Sequence, residues 1–226
     1  KYRELDKLFK SDNSDSWMIM PIYPYSPYES LSSELDGTPP TKPTKTNFFG
    51  TDSNGGRDVF ARMAYAFNYT LTFALVVTMI SYVVGIAIGA LLGYFGGLFD
   101  IIGQRFIEIV STIPFLFTVI IIRESFDKPP GLIGLALILV CFSWMGMTYY
   151  IRGEFYREKA KDYVSAAVSM GQSNKRVMFK HILPNALTPI ITFAPFAVIG
   201  NIFSLTTLDY LGFGLEPPMP SWGEIA

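Results

Sequence analysis

Three stretches of this 226-residue chain carry no charged side chain: 69–94 with 26 residues, 129–151 with 23 and 182–208 with 27. Each is longer than the roughly 20 residues an α-helix needs to cross the hydrocarbon of a bilayer. A fourth run, 109–122, has 14 uncharged residues and spans only with Arg105 and Glu108 at one interface. In lipid the backbone must satisfy its own hydrogen bonds, so these runs predict helices, and the chain reads as an all-α membrane protein with four spans. The charged fraction of 16% agrees, because a soluble domain carries about a quarter. Trp144, Tyr149 and Tyr150 are expected in an interfacial belt at the end of the third helix.

Residues 1 to about 58 are different. They are polar and broken by Pro21, Pro24, Pro27, Pro39, Pro40 and Pro43, each of which removes a backbone donor and turns the preceding residue away from helix. Extended or loop structure is expected here, either disordered or packed through the interleaved tyrosines. The division is an external Pro/Tyr-rich segment, 1–66, and a membrane domain, 67–226, with a cytoplasmic loop at 152–184.

Orientation follows from that loop. Arg152, Arg157, Lys159, Lys161, Lys175, Arg176 and Lys180 are seven of the 18 basic residues, and short loops rich in lysine and arginine stay in the cytoplasm. Alternation puts the turn at 124–130 outside, the turn at 96–104 inside and the N-terminal region outside. A net charge of −1 and the lack of any basic reading motif argue against nucleic acid. One cysteine, Cys141, and one histidine, His181, leave no Cys/His metal cluster and little for a membrane enzyme to use. No catalytic, cofactor-binding or metal-binding residue is assigned. A passive channel is a further alternative, distinguished by conduction without ATP.

Within the loop, Asp162 is expected to cap a short helix closed by Gly171, and Ser173 to start a second that ends or kinks at Pro184. Tyr163, Ala166, Ala167 and Met170 fall at i, i+3, i+4 and i+7. That apolar stripe either enters a groove on another protein or packs on this chain's own second helix. Gly85, Gly89 and Gly93 recur every four residues, the spacing of a helix face that another backbone approaches closely. No Gly-x-x-x-x-Gly-Lys-Ser/Thr occurs in the sequence, so it offers no phosphate-binding loop.

The loop resembles the EAA loop of binding-protein-dependent ABC importer permeases, whose pattern is Glu-Ala-Ala, three residues, Gly, nine residues, Ile-x-Leu-Pro. Here Ser165-Ala166-Ala167, three residues, Gly171 and nine residues lead to His181-Ile182-Leu183-Pro184. Ser165 stands where the family often has Glu, and His181 where it often has Ile. Two further stretches are similar to the oligopeptide and dipeptide branch: Gly50-Thr51-Asp52 with Gly56-Arg57-Asp58-Val59-Phe60, and Leu208-Asp209-Tyr210-Leu211-Gly212-Phe213-Gly214. Within it, the chain looks most like the permeases of microcin C-type peptide importers.

The resemblance implies a type I ABC importer permease bundle, of which this chain holds four of the usual six helices. A first helix before Lys1 and a sixth after Ala226 are expected. It implies a bacterial inner (plasma) membrane location, a peptide substrate, and a heterodimer with a second permease subunit. It also implies a periplasmic solute-binding protein and a separate cytoplasmic ABC ATPase that holds the ATP, with membrane lipid around the helices. A non-peptide solute such as nickel is the alternative cargo. The implied ATPase-docking residues are Tyr163, Ser165, Ala166, Ala167, Met170, Gly171, Leu183 and Pro184. Asn201, Ser204, Thr206, Thr207 and Asp209 are candidates for lining the pathway, since polar groups inside spans face a cavity or another helix; hydrogen bonding between helices is the competing role for the hydroxyls.

Overall fold

The computed structural model describes residues 2–11, 19–35, 37–125, 131–215 and 219–225. They fall into two compact units, Lys1–Tyr69 with Pro217–Ala226, and Thr70–Glu216. Helix α2, Val59–Phe95, runs through the boundary between them.

In the first unit the expected irregular chain begins only after a helix. α1, Tyr2–Ser11, is helical, which corrects the extended reading of 1–58. The prolines that argued for extension start at Pro21, and the first eleven residues contain none. Arg3 fastens α1 by bonding Glu29 and Glu34, each at 2.8 Å. From residue 19 to 58 the described chain is turns with one isolated bridge, Thr51 to Asp58. Buried Asp58 caps α2, accepting the Ala61 N–H at 2.7 Å, and also receives Tyr23 Oη and Asn47 Nδ2, both at 2.7 Å. Tyr23 belongs to an aromatic cluster with Phe48 and Phe60. Arg62, buried, pairs with both Asp52 and Glu224, and Arg57 Nε bonds Asp52 at 2.8 Å. Glu224 lies on α9, Trp222–Ile225, so residues 162 apart in sequence share one ionic cluster.

Among the described residues three helices are long and apolar enough to cross a membrane: α2, which belongs to the second unit from Thr70 on, α5 (Gly131–Lys159) and α8 (Thr188–Tyr210). The expected span at 109–122 is not one straight helix. α3, Gly97–Ser111, and α4, Phe115–Glu124, meet at a bend of 68°, and count as a fourth span only if taken together. Pro114 is the cause: it sits at the start of α4 with ψ 115°, outside the helical region, so the ladder of α3 cannot continue. The outer turn expected at 124–130 falls mostly on residues 126–130, outside the described residues.

Helix lengths also depart from the charge-free runs. α2 starts ten residues before the first run, and its 37 residues extend roughly 55 Å, well beyond the hydrocarbon thickness. α5 continues eight residues past Ile151 into the basic loop, because arginine, lysine and glutamate end a membrane run but are good helix formers. Trp144, Tyr149 and Tyr150 therefore lie within α5 and not at its end; Tyr150 stacks on Phe193 of α8 at 4.1 Å.

α2 and α5 meet along the glycine seam. A Cβ on Gly85 would lie 2.6 Å from Trp144 O, on Gly89 2.6 Å from Thr148 O, and on Gly93 2.7 Å from Arg152 O. Three successive turns of one helix thus rest on the carbonyls of the other. Thr148 Oγ1 adds a bond to Gly85 O at 3.2 Å. Buried side chains extend the seam both ways. Tyr94, Ile151 and Phe155 join Val164, Ala167, Val177 and Ile182 of the basic loop, while Phe73, Val77, Val119, Leu135, Leu139, Leu205 and Leu208 form the second cluster. α8 closes with a Schellman turn: Gly212 at φ 78° donates to Asp209 O and Phe213 to Leu208 O, and Leu208 and Phe213 share the second cluster.

Candidate functional site

The loop after α5 is a helix-turn-helix, as its punctuation predicts. α6, Asp162–Ser169, is capped one residue earlier than expected: Lys161 is the N-cap, and Asp162 is the first helical residue, where a negative charge suits the helix dipole. At the other end Met170 is the C-cap and Gly171, at φ 74°, takes the left-handed position. Gly171 N donates to Val168 O (2.9 Å) and Gln172 N to Ala167 O (3.2 Å), the paired bonds of a Schellman motif. Ser173 then occupies the N-cap position of α7, Asn174–Arg176, without a capping bond from its side chain; α7 leads into a π-helical stretch, Val177–Ile182, and a 3-10 turn, Leu183–Ala186, before α8. Pro184, in the first turn of the 3-10 segment, keeps the chain from running straight into α8.

The apolar stripe of α6 is divided between two destinations. Ala167 is buried, with Val164 beside it, against Val177, Met178 and Ile182. Tyr163 is half-buried and directs its hydroxyl inward. Ser165, Ala166 and Gly171 are exposed, and so is Met170 at 71%, joined by Val168 at 53%. Pro184 is exposed; half-buried Leu183 lines an apolar groove of about 480 Å³ with Ile86, Phe95, Phe155, Met178 and Phe179. The loop thus holds one set of apolar residues against the protein and leaves Ala166 and Met170 uncovered on one flank of α6 and Val168 on the other.

Polar contacts fix the loop to α5. Glu158, on the last turn of α5 and 1% exposed, accepts from Lys161 Nζ at 2.7 Å and from Tyr163 Oη at 2.8 Å. Asn185 Nδ2 donates to His181 O (2.7 Å) and to Tyr163 Oη (3.4 Å), and His181 Nε2 donates to Gln172 Oε1 at 2.7 Å. Burial, and then the Glu158 carboxylate, push the Tyr163 phenol up to about 12, so it remains a donor throughout the physiological range. Nearly two turns back along α5 from Glu158, Arg152 makes a bidentate pair with buried Asp100 of α3, at 2.5 and 2.6 Å, and Tyr156 Oη bonds the same carboxylate at 2.7 Å. Lys175, Arg176 and Lys180 point elsewhere and leave the positive charge of the loop in the open. Sequence reasoning singled out neither Glu158 nor Asp100 nor Val168. A carboxylate in a charge-rich stretch gives no local sign that folding will bury it.

Among the candidate pathway residues, Asn201 is buried where three spans meet, donating to Thr78 Oγ1 at 2.9 Å and accepting from Ser143 Oγ at 3.3 Å. Ser204 bonds Gly200 O on its own helix at 2.9 Å, and Thr207 is exposed. Thr206 Oγ1 is buried without a hydrogen-bond partner among the described residues, as is Ser81 Oγ on α2. Asp209 accepts the Leu215 N–H at 2.6 Å, closing the turn after α8. Among the described residues no His, Cys, Asp and Glu cluster has metal-binding geometry.

Comparison with known proteins bears on this arrangement. Residues 85–225, from the glycine seam through the loop and α8 to the end of α9, match the family described as binding-protein-dependent transport system inner membrane component. The chain belongs to that family. As a binding-protein-dependent inner membrane component it is a multi-pass protein of the inner membrane, with the all-α build of an importer permease. It is similar to the peptidoglycan transport system permease protein YejE of Agrobacterium fabrum, 40% identical, covering 94% of this chain and 61% of that protein. The inner membrane ABC transporter permease protein YejE of Escherichia coli is 42% identical over 82% of this chain and 54% of its own length. The oligopeptide transport system permease protein OppC of Haemophilus influenzae is 34% identical over 90% and 64%. The chain thus spans between about half and two thirds of each of these relatives.

Proposed function

We propose that this chain forms part of the membrane pathway of an ATP-driven peptide importer, and that α6 is where a separate cytoplasmic ATPase engages it. The observation that carries the reading is the divided face of α6. Val164 and Ala167 anchor it inward while Ala166 and Met170, four residues apart on one flank, remain uncovered on a positively charged loop, the form of an apolar helix edge offered to a groove. The absence of a phosphate-binding loop from the sequence supports assigning ATP binding to the partner, so the chain moves its cargo without catalysing a reaction. The names of the relatives, which include peptidoglycan and oligopeptide permeases, favour peptides as cargo. A second permease subunit would complete the pathway, and an external binding protein would deliver the peptide.

The test uses the complete permease co-expressed with its partner subunits. Met170→Glu and Ala166→Glu place charge on the exposed flank without entering the core. Both should abolish co-purification of the ATPase and peptide uptake while leaving the amount of permease in the membrane unchanged. Unaltered ATPase binding and uptake in both variants would remove the docking role, and uptake of nickel in place of peptide would remove the cargo assignment.

A further inference from the structure

We propose that Glu158 is a positioning residue that sets the rotation of the ATPase-docking helix, acting through Tyr163. The inference rests on the docking role of α6 and adds the means by which that helix is held.

α6 is only eight residues long, and its buried apolar side chains are the small ones of Val164 and Ala167. Apolar burial has no preferred direction, so two small contacts allow such a helix to roll or slide. Glu158 supplies the missing direction. Its side chain is 2% exposed, and an ionised carboxylate is retained in such a place only when its oxygens are engaged. Oε1 accepts from Lys161 Nζ at 2.7 Å, with Arg157 Nη2 at 3.5 Å, and Oε2 accepts from Tyr163 Oη at 2.8 Å.

These contacts reach both sides of the loop. Lys161 is the N-cap of α6 and Tyr163 lies on its first turn, so one carboxylate fixes where the helix starts and which way it faces. Tyr163 Oη also lies 3.3 Å from His181 O and accepts from Asn185 Nδ2. The π-helical and 3-10 segments entering α8 are thereby linked to the same carboxylate that ends α5. Displacement of α6 by a partner must either break the Glu158–Tyr163 bond or move α5 and the entrance to α8 with it.

The experiment uses the complete transporter reconstituted in proteoliposomes, with peptide as cargo, and compares Glu158→Gln, Tyr163→Phe, the double variant and Met170→Glu. Tyr163→Phe keeps the ring in place and removes only the hydroxyl, so it decides the matter if the Gln variant assembles poorly. Both single variants should weaken ATPase-subunit binding by about tenfold, the effect of losing one charge-assisted hydrogen bond, and reduce peptide moved per ATP hydrolysed. The double variant should lose less than the sum of the two single losses, since the Glu158–Tyr163 contact is counted in both. The ratio of transport to hydrolysis is the readout that a merely structural role would leave unmoved. Unchanged binding and unchanged ratio in Tyr163→Phe, or fully additive losses, would overturn the proposal. If Met170→Glu abolishes ATPase binding while Tyr163→Phe has no effect, only the positioning role falls. If Met170→Glu also leaves binding intact, the docking role falls first.

Discussion

The α2–α5 seam and the loop that follows α5 use the same helix in opposite ways. Along the seam, Gly85, Gly89 and Gly93 present no side chains, and helix rests on helix through main-chain atoms. In the loop, Glu158, Tyr163, Asn185 and His181 hold α6 through directed polar bonds across small apolar contacts. The seam excludes rearrangement because there is no space to move into. The loop specifies one arrangement while keeping an uncovered face, and hydrogen bonds can be exchanged in a way that interpenetrating backbones cannot.

Replacement of a seam glycine should have the largest effect. Gly89→Leu would drive a side chain into Thr148 O and Ile151 Cβ and should cost about 3 kcal/mol or more, seen as loss of monodisperse permease and a lower unfolding temperature in detergent. Tolerance of that change would mean that the seam can open as readily as the loop. Asp100→Asn removes the charge that faces Arg152 and should destabilise by about 2 kcal/mol, less than a fully buried pair because Arg152 is partly exposed. Thermal unfolding measures it, and Asp100→Asn with Arg152→Gln should recover part of the loss. Gly171→Ala has open space around the new methyl but a φ of 74°, so backbone strain alone should cost about 1 kcal/mol. Its effect should appear in ATPase binding more than in the unfolding temperature, because it opens the end of α6 and leaves the seam intact. Gly153→Ala on α5 also meets nothing within 4 Å but is helical; it should stabilise by up to about 1 kcal/mol. A loss there would mean that α5 is packed more tightly beyond the seam than its open surroundings indicate.

The sequence made the seam and the punctuation of the loop legible because both are local. Glycines four apart must share a helix face, and Gly171 must close α6 where a left-handed residue is required. Pro184 marked a change of helical path without revealing its form, since the π and 3-10 segments depend on how Val177, Met178 and Ile182 find the core. Charge-free runs located the spans but misjudged their ends, because loss of hydrophobicity and loss of helix are separate events, as residues 152–159 of α5 demonstrate. Two local signals reach less far than their stretch of chain: prolines that begin at Pro21 say nothing of α1, and the uncharged run 109–122 does not by itself show the 68° bend at Pro114. The burial of Glu158, and the pairing of Asp100 with Arg152, are products of tertiary contact between residues of ordinary surface type. No periodicity announces them.

α5 is unbroken by proline from Gly131 to Lys159, and its 29 residues make a rod of roughly 43 Å. Because the seam ties α5 to α2, a tilt of the pair by about 10° about the level of Thr148 would sweep Lys159 through roughly 3 Å, the rise of two helical residues. The longer arm, on the far side of Thr148, would swing through more. α5 therefore has the proportions of a lever: Gly131 lies farther from Thr148 than Lys159 does, so a displacement at the loop would arrive enlarged at the start of α5.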